Sequence, residues 1–352
     1  MREPLQSRWR AWLSWPKSIL LLYRSIRLCY CEFEFPGTAE SPPLRGVYIG
    51  EGISLPYYLK LYRTSVSRTQ DIPAWRARAA LSDALAAFPI VLVEINRLLG
   101  FLLPSGGLRG DSWIQHETDL YGARYRERRR GIERSWGRKV RKYGYRFALS
   151  RSEQDLVAFY HEYYLPHMTY RHGETASIRS IDVLRKALRK GFLLQVWHNE
   201  QWVSGIVADR AEKHRVSLLA AGLHPSQRQR MQEGALSAAY YFLFQWAVES
   251  GLRTVDLCGS RPNQMDGVFQ HKTLWAAVPK HDHWHHTEVA FFLDGAVCLP
   301  ESIKQQLITR GAGFITIGEY LSSRSPPERN TATDGPRESA GCFEDDPQRS
   351  DH

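Results

Sequence analysis

Residues 192–223 read FLLQVWHNEQWVSGIVADRAEKHRVSLLAAGL, and this stretch decides the fold. It contains three short runs rich in β-branched and aromatic residues, Phe192–His198, Val203–Asp209 and Val216–Leu223. Residues Asn199–Trp202 and Arg210–Arg215 separate these runs and supply the turns. The spacing therefore predicts three short strands that form an antiparallel meander.

Residues 235–258, ALSAAYYFLFQWAVESGLRTVDLC, continue this pattern. They predict a helix over Ala235–Glu249, a left-handed glycine cap at Gly251 and a strand over Thr254–Cys258. Because the helix is apolar almost all round, we expect it to lie between the sheet and another layer. A meander, a buried helix and a further strand predict an α/β (α+β) fold with a mixed central sheet flanked by helices.

The loop before this helix contains two arginines and a glycine, Arg228, Arg230 and Gly234. The first amides of a helix, here from Ala235 onward, lack hydrogen-bond partners, and the helix dipole favours an anion there. The loop can therefore hold the phosphates of a cofactor. No GxGxxG or Walker pattern accompanies it, and a glycine in a loop can also be simply a turn.

A densely basic stretch runs from Arg124 to Arg146, with Ile132, Trp136 and Val140 at helical spacing on one side. Its other side is nearly all cationic. Two interpretations stay open, a solvated helix face and a nucleic-acid site. After it, Ser152 predicts a helix cap, and a second helix is predicted over Ile181–Lys190.

Composition limits the class of protein. The chain has 352 residues, 43% of them hydrophobic, which suffices for one large or two modest domains. The net charge of +10 indicates an anionic partner, which is a nucleic acid, an anionic lipid or a phosphate-bearing cofactor. Five cysteines without a CxxC pair argue against a disulfide framework and a structural zinc site, so we expect a reducing compartment.

The N-terminal region carries tryptophans and arginines between Arg8 and Cys31. This composition is typical of a helix on an anionic membrane surface, and equally of a helix packed on the fold. We identify no signal peptide and no run of about 20 apolar residues. The piece Phe88–Arg97 is a strand or a buried helix, and Ser112–Asp119 contains a short strand.

These observations divide the chain into four parts, with a boundary after the short strand. The parts are a basic aromatic segment (1–35), a first lobe (36–122), a second lobe (123–321) and a disordered tail (322–352).

Three segments together resemble one family. They are the arginine-rich Arg129–Tyr145, the stretch Ala247–Arg261 with its order of helix, Gly, strand, Asp and Gly-Ser, and Gly267-Val-Phe-Gln-His-Lys-Thr-Leu-Trp-Ala276. They are similar to segments of the GNAT acyltransferase superfamily and, within it, of the FemAB-like or BioF2-like acyltransferases. The last segment resembles the family's Gly-aromatic-x-Phe-Lys-x-x-Trp-Gly motif, with His271 in place of Phe and Ala276 in place of Gly.

The resemblance implies a GNAT-like mixed sheet, with two such lobes of which the first is reduced. It also implies that an amine or hydroxyl attacks an activated acyl group directly, without a covalent enzyme intermediate. The activated group is a thioester on coenzyme A or an ester on a charged tRNA. Lys272, carried over from the motif, is implied as the contact to the oxyanion or to a phosphate.

Further site residues follow from the same resemblance and from their chemistry. Asp256 acts as a base or anchors its loop through backbone hydrogen bonds. His167 or Tyr170 carries a proton. Arg171 and Arg261 bind anionic groups of the acceptor. The remaining predicted substrate contacts are Ser260, Phe269 and His271.

The run His281-Asp-His-Trp-His-His286 has the residue types of a metal site. Alternation along one strand would place His281, His283 and His285 on one face as imidazole ligands. A histidine-rich edge strand is also a common solvated feature, and the resembled family needs no metal. We therefore expect no metal. The resemblance implies acyl-coenzyme A as the donor substrate.

Three functions are consistent with the sequence. The first is a GNAT-type acyltransferase that uses acyl-coenzyme A on an amine or hydroxyl of an envelope, polysaccharide or lipid-linked acceptor. The second is a Fem-type transferase that depends on aminoacyl-tRNA. The third is a nucleic-acid or membrane-binding module that has kept the fold without activity. We expect a cytoplasmic protein, with peripheral contact to the inner face of an anionic membrane as an addition.

Overall fold

The computed structural model describes residues 21, 26–37, 42–173, 176–210, 212–295 and 297–323. The strands in these ranges are β1 (Arg27–Phe35), β2 (Leu44–Gly50), β3 (Ser65–Pro73), β4 (Ile90–Asn96), β5 (Leu108–Asp111), β6 (Ile114–Asp119), β7 (Arg146–Ser150), β8 (Phe192–His198), β9 (Gln201–Asp209), β10 (Arg215–Leu223), β11 (Thr254–Ser260), β12 (Val278–His281), β13 (Thr287–Leu293), β14 (Leu307–Arg310) and β15 (Gly313–Thr316).

The helices of the same ranges flank these strands. They are α1 (Leu55–Tyr62), α2 (Ala77–Ala87), α3 (Ala123–Ile132), α4 (Arg138–Tyr143), α5 (Glu153–Ala158), α6 (Leu165–His172), α7 (Ile181–Leu188), α8 (Ala235–Glu249), α9 (Gly267–Leu274), α10 (Glu301–Lys304) and α11 (Ile317–Ser322). Two π-helical stretches, Glu133–Gly137 and Phe159–Tyr164, join α3 to α4 and α5 to α6. Three short 3₁₀ helices span Ala74–Arg76, Arg97–Leu102 and Pro225–Met231.

Two large mixed sheets form the framework, and the α/β (α+β) class is confirmed. The first sheet has the order β3-β1-β2-β4-β13-β5, and the second has the order β12-β6-β11-β10-β9-β8-β7. Each contains one parallel pair, β2 with β4 and β10 with β11, among antiparallel neighbours. Strands β14 and β15 form a separate hairpin.

Both sheets are covered on their two faces. In the second sheet, α8 packs on one face with α3 and α4 outside it, and the helices α5 to α7 pack on the other. In the first sheet, α1, α10 and α11 cover one face and α2 covers the other. The buried position of α8 agrees with its apolar sequence, and eight of its fifteen residues are buried.

Local signals explain several elements. The hairpin between β8 and β9 turns at Asn199 and Glu200, whose φ angles of 46° and 60° match a turn with two left-handed residues. The Ser152 hydroxyl accepts a hydrogen bond from the Asp155 amide (3.3 Å) and caps α5. Gly251 has the left-handed φ of 66° that ends α8. The meander, the helix and the strand after it form where the sequence places them.

The N-terminal prediction needs a correction. Residues 1–20 and 22–25 lie outside the described residues, but Arg27–Phe35 forms strand β1 of the first sheet, so the predicted helix does not extend over Arg27–Cys31. The cause is a period of two: Cys31, Phe33 and Phe35 are buried, whereas the residues between them are half-buried. Of the two interpretations of residues 88–97, the strand is correct, because β4 is buried along its whole length.

The strands also divide between the sheets differently from the predicted lobes 36–122 and 123–321. β6 belongs to the second sheet, where it pairs with β11 and β12. β13 returns to the first sheet, where it pairs with β4 and β5. The first lobe therefore has a six-stranded sheet, whereas the sequence predicts a reduced lobe. Strands that pair across long stretches of chain leave no local signal in the sequence, which explains the difference. The predicted disordered tail lies outside the described residues from residue 324 onward.

Candidate active site

A wedge opens in the second sheet between the parallel strands β10 and β11. The two strands pair over only three positions, the last of which is Ser217 with Asp256, although β10 continues to Leu223 and β11 to Ser260. Each strand carries an irregularity just beyond this point, in β10 near residue 219 and in β11 between residues 256 and 259. Bulges bend a strand and end its pairing, so the strands diverge here.

Lys272 of α9 reaches the β11 side of this wedge. Its side chain is buried, with 5% exposure, and its ammonium donates hydrogen bonds to the carbonyls of Cys258 (2.9 Å) and Gly259 (2.5 Å). An ammonium has three N–H donors, so one remains after the two that bind these carbonyls. Burial, the largest cause, lowers the pKa of Lys272 to about 8. The group is still mostly charged at pH 7 and can stabilise a developing oxyanion.

Asp256 lies at the last paired position of β11. Its carboxylate accepts hydrogen bonds from Arg215 (2.6 Å), Ser217 (2.9 Å) and the Cys258 amide (2.8 Å). These three donors hold the carboxylate in place and shape the bulge that follows. The geometry favours the anchoring role of Asp256 over the alternative role of a base.

Cys258 lies in the bulge of β11 with a φ of 59°, a left-handed conformation that is unusual for a residue with a Cβ. This conformation turns the carbonyls of Cys258 and Gly259 toward Lys272. Burial, assisted by the negative charge of Asp256, raises the pKa of the Cys258 thiol to about 11. Because only a thiolate is a good nucleophile, this thiol is unsuited to carry a covalent acyl group at neutral pH.

The N-terminus of α8 is formed by Gly234, whose φ of 89° is left-handed. A Cβ on Gly234 would lie 3.2 Å from Cδ of Lys139, so the glycine also admits the basic helix α4. The Lys139 ammonium donates a hydrogen bond to the Gln232 carbonyl (2.9 Å). Ala235 is fully buried, and its carbonyl accepts a hydrogen bond from Ser204. A lysine thus lies beside the first amides of α8.

The two predicted arginines of the loop before α8 differ in their surroundings. Arg230 is half-buried, pairs with Glu233 (3.4 Å), which partly neutralises its charge, and contacts Nε2 of His198 (3.3 Å). Arg228 is exposed, and its guanidinium lies 4.1 Å from the ring centre of Tyr170 in α6. Arg228 therefore connects the loop before α8 to Tyr170 of α6.

The predicted acceptor residues of α6 meet the motif helix α9. His167 and His271 are both largely buried, and burial lowers the pKa of each to about 4. The charge of Arg171 lowers the pKa of both histidines, so Arg171 lies near both. Tyr170 is 59% exposed at the edge of this group. The two imidazoles are therefore neutral at pH 7, and their lowered pKa makes each a weak base that holds a proton only briefly.

His271 and Ala276 are the two departures from the family motif, and both fit their positions. The His271 ring packs edge-on against Tyr240 of α8 with ring centres 4.7 Å apart, as an aromatic residue would. Its Nε2 atom is buried without a hydrogen-bond partner among the described residues. Ala276 has a φ of 62°, the left-handed region that favours glycine. The motif thus has a physical reason for glycine here.

Ser260 and Phe269 pack around a buried histidine from β6. The Ser260 hydroxyl lies 2.8 Å from Nε2 of His116, and the Phe269 ring contacts the imidazole edge-on at 5.0 Å. Burial lowers the pKa of His116 to about 3. Ser260 is 1% exposed and Phe269 is 7% exposed, so in this conformation both side chains are buried against His116 rather than open to solvent. Their predicted substrate contacts stay predictions.

Arg261 lies between the two sheets. Its guanidinium is stacked between the rings of Tyr57 (5.0 Å) and Trp113 (4.9 Å). It donates hydrogen bonds to the Ser54 hydroxyl (2.5 Å) and the Ser112 carbonyl (3.3 Å). Residues at the start of α1 and in the connection from β5 to β6 therefore hold this arginine in one orientation.

The negative charge that balances Arg261 lies behind Ser54. The buried carboxylate of Glu94 in β4 accepts hydrogen bonds from the hydroxyls of Ser54 (2.5 Å) and Tyr48 (2.5 Å) and from the Ser54 amide (3.1 Å). Ser54 thus connects Glu94 to Arg261. This network fixes the contact between the lobes.

The histidine run differs from the predicted strand. His281 ends β12, and residues 282–286 form the connection that crosses to β13, so the histidines do not share a strand face. Three of them pair with different carboxylates: His281 with Asp111 (2.9 Å), His286 with Glu51 (2.8 Å) and His285 with Asp282. Within the described part of the chain, no group of three or more His, Cys, Asp or Glu could hold a metal.

Several site residues escape sequence reasoning. Tyr57 and Ser54 come from the first lobe, Trp113 and His116 come from β6 and its start, and Arg179 precedes α7. None lies in a motif, and each reaches the site only through pairing of distant segments. The bulges of β10 and β11 also leave no mark in the sequence except the short run Cys258-Gly259. In the described ranges, no helix is long and apolar enough to cross a membrane.

Comparisons with known proteins give likenesses in structure only. No family model matches the sequence, and no curated protein matches it. Among solved structures, the chain is similar to L-PGS from Bacillus licheniformis, with 12% identity, a TM-score of 0.36 and coverage of 75% of this chain and 84% of that one. It is also similar to FemX, with 12% identity, a TM-score of 0.38 and coverage of 73% and 83%.

A third likeness is to a putative acetyltransferase of the GNAT family from Novosphingobium aromaticivorans. The identity is 11%, the TM-score is 0.29, and the coverage is 63% of this chain and 81% of that one.

Proposed function

We propose that this protein is a GNAT-type acyltransferase that moves an acyl group from acyl-coenzyme A to an amine or hydroxyl. The observation that carries the proposal is the buried ammonium of Lys272 at the wedge between β10 and β11. A charged donor held by two carbonyls in a buried place is suited to an oxygen that becomes negative during acyl transfer.

The reaction is a direct displacement. The nitrogen or oxygen of the acceptor attacks the thioester carbonyl, a carbon–nitrogen or carbon–oxygen bond forms, and the carbon–sulfur bond breaks. The proton of the nucleophile leaves through a neutral imidazole, for which His167 is the candidate, and finally reaches the coenzyme A thiolate. Lys272 holds the carbonyl oxygen while it carries negative charge. The raised pKa of Cys258 supports this route over an acyl-cysteine intermediate.

The donor's phosphates would lie at the N-terminus of α8. The amides from Ala235 onward, together with Arg228 and Arg230, offer backbone donors and positive charge to a pyrophosphate. Lys139 adds a further cation at this end of the helix. Tyr240, about one and a half turns into α8, contacts His271 beside Lys272, so this helix connects the phosphate end to the wedge.

The acceptor would approach from the side of Arg261, which lies between the two sheets and is held between Tyr57 and Trp113. Arg171 of α6 adds a cation near His167 and His271. An acceptor with an anionic group fits these two arginines. This chemistry supports an acceptor from an envelope, polysaccharide or lipid-linked molecule. To reach such an acceptor, the protein would lie in the cytoplasm and contact the inner face of the membrane.

The pH dependence of the reaction tests the role of Lys272. Because its pKa is about 8, the ammonium is charged below this pH and loses its proton above it. We expect kcat to fall as the pH rises through about 8, with a loss of about tenfold for each pH unit beyond. The measurement is the release of coenzyme A thiol from acetyl-coenzyme A, with hydroxylamine as a small surrogate acceptor. A rate that stays level from pH 7 to pH 9.5 contradicts the proposed role.

A second candidate function, transfer from an aminoacyl-tRNA, is favoured by the basic helix. Residues 123–143 contain ten Arg or Lys and two Glu, a net charge of +8. Most of these cations are exposed, and within the described residues their ion pairs are limited to Arg141 with Glu133. Contacts of Tyr125 with Phe244 and of Lys139 with Gln232 show that this helix runs antiparallel to α8. A cationic strip of about 30 Å thus leads to the N-terminus of α8.

Salt dependence distinguishes this candidate. If the strip binds a phosphate backbone, the logarithm of RNA affinity falls against that of the salt concentration with a slope of about −3 to −5. The variant Arg128→Glu/Arg130→Glu should then lower the affinity at least about 10-fold. The control Arg76→Glu/Arg78→Glu changes two exposed arginines of the first lobe and should have little effect. A slope near zero, or equal losses in both variants, contradicts nucleic-acid binding by the strip.

A further inference from the structure

Arg179 lies on the β10 side of the wedge, where no motif predicts it. The irregularity of β10 falls at Leu219, and the Leu219 carbonyl accepts a hydrogen bond from Nε of Arg179 (3.1 Å). The backbone amide of Arg179 donates to the Tyr164 hydroxyl (2.9 Å), and Tyr164 is itself buried. The side chain is thus held at the point where β10 leaves β11. Its two terminal nitrogens have no acceptor among the described residues.

Two cations therefore border the wedge. Arg179 contacts the β10 side through Leu219, and Lys272 contacts the β11 side through Cys258 and Gly259. The positive charge of Arg179 contributes to the lowered pKa of Lys272, which agrees with their proximity. Two neighbouring cations in a partly buried place are costly unless an anion accompanies them.

The protein supplies little negative charge at this position. Two carboxylates act on Lys272 without pairing with it directly. Asp256 is already occupied by Arg215 and Ser217, and Asp266 accepts a hydrogen bond from the Phe269 amide (2.8 Å) at the start of α9. In the described ranges no carboxylate lies within 4.0 Å of Lys272 or of Arg179. Among the described residues, Arg179 and Lys272 therefore have no direct ion-pair partner, and an anionic ligand in the wedge would supply one.

We propose that the acyl group transferred by this protein carries a carboxylate, and that Arg179 binds this carboxylate inside the wedge. This inference rests on the proposed function, because it assigns a chemical class to the donor of that reaction. A guanidinium offers two parallel N–H groups whose spacing matches a carboxylate. Lys272 then remains the contact to the thioester carbonyl, and Arg179 determines which acyl groups are accepted.

Two donors of equal chain length test the proposal. Glutaryl-coenzyme A ends in a carboxylate, whereas pentanoyl-coenzyme A ends in a methyl group. We expect the wild-type protein to bind glutaryl-coenzyme A about 10- to 100-fold more tightly, measured by titration calorimetry. In Arg179→Gln the amide can still donate to the Leu219 carbonyl, so the bulge keeps its hydrogen bond. This variant should lose the preference for glutaryl-coenzyme A and keep its affinity for pentanoyl-coenzyme A within about threefold.

The outcomes separate this inference from the function on which it rests. Equal affinities of the wild-type protein for the two donors would overturn the carboxylate proposal but leave acyl transfer intact. A preference that persists in Arg179→Gln would overturn the assignment to Arg179. Failure of both donors and of coenzyme A itself to bind would contradict the proposed function. The variant Arg179→Lys, which keeps the charge but not the two parallel N–H groups, should retain part of the preference.

Discussion

Replacing Lys272 with Ala lowers kcat of acyl transfer by about 10²- to 10³-fold, the loss expected when one donor to a developing oxyanion is removed. The ammonium lies at the wedge with two of its donors on the carbonyls of Cys258 and Gly259. Its charge contributes more in this buried place than it would in water. The measurement is the release of coenzyme A thiol under saturating donor.

A second variant separates chemistry from folding. Lys272→Ala leaves a cavity and two carbonyls without a donor, which costs stability. Lys272→Met leaves the same two carbonyls without a donor, but it keeps the length of the side chain and fills the cavity. Its melting temperature should therefore lie between those of Lys272→Ala and the wild type. The matched control is Lys280→Met on β12, an exposed lysine near the same helix. If Lys272→Met retains kcat within about threefold of wild type, Lys272 does not hold the oxyanion.

Replacing Gly234 with Asp abolishes coenzyme A binding. The substitution places a carboxylate at the N-terminus of α8, where the donor's phosphates would lie, and repulsion between the anions excludes them. A Cβ here would also approach Lys139 to 3.2 Å. We expect the affinity for coenzyme A to fall at least about 100-fold in a calorimetric titration.

The other end of the same helix supplies the control. Gly251 has a left-handed φ of 66°, close to the 89° of Gly234, and a Cβ at Gly251 meets no atom within 4 Å. Gly251→Asp therefore introduces comparable backbone strain and the same charge far from the proposed phosphate position. It should lower the melting temperature similarly and leave coenzyme A binding unchanged. Equal loss of binding in both variants would show that strain, rather than the site, causes the effect.

The sequence allows the second lobe to be predicted because its signals are local. The meander β8 to β10, the helix α8 and the glycine cap at Gly251 each follow from residues within a few positions of one another. The basic helix is similar: Ile132 and Val140 are buried and Trp136 packs beside them, as their spacing predicts. The spacing of the apolar residues and the presence of capping residues are enough to predict where such helices and strands lie.

The assembly of the two sheets could not be predicted in the same way. β13 lies nearly 200 residues from β4, with which it pairs, and β6 joins the second sheet although it precedes the helices of that lobe. Such pairings are decided by the packing of the whole chain rather than by local pattern. The predicted strand of alternating histidines fails for the same reason, because residues 282–286 must cross from one sheet to the other.

The residues of the candidate site also divide into those that the sequence predicts and those that it does not. The motif placed Lys272, His271 and Ala276 on one segment, and the structure gives physical reasons for a lysine and for a left-handed residue there. Arg179 and Tyr57 carry no signal in the sequence, since each reaches the site through a bulge or through the contact between lobes. Residues that act through such contacts become visible only in the folded chain.

The most direct test of the account is the thermal unfolding of the purified protein with coenzyme A, acetyl-coenzyme A and longer acyl-coenzyme A donors. A ligand that binds the folded state alone, present at 100 times its dissociation constant, stabilises the protein by about 2.7 kcal/mol. The account predicts a rise in melting temperature with these donors that Gly234→Asp abolishes and Gly251→Asp retains. An unchanged melting temperature with every donor would contradict acyl-coenzyme A binding at the N-terminus of α8.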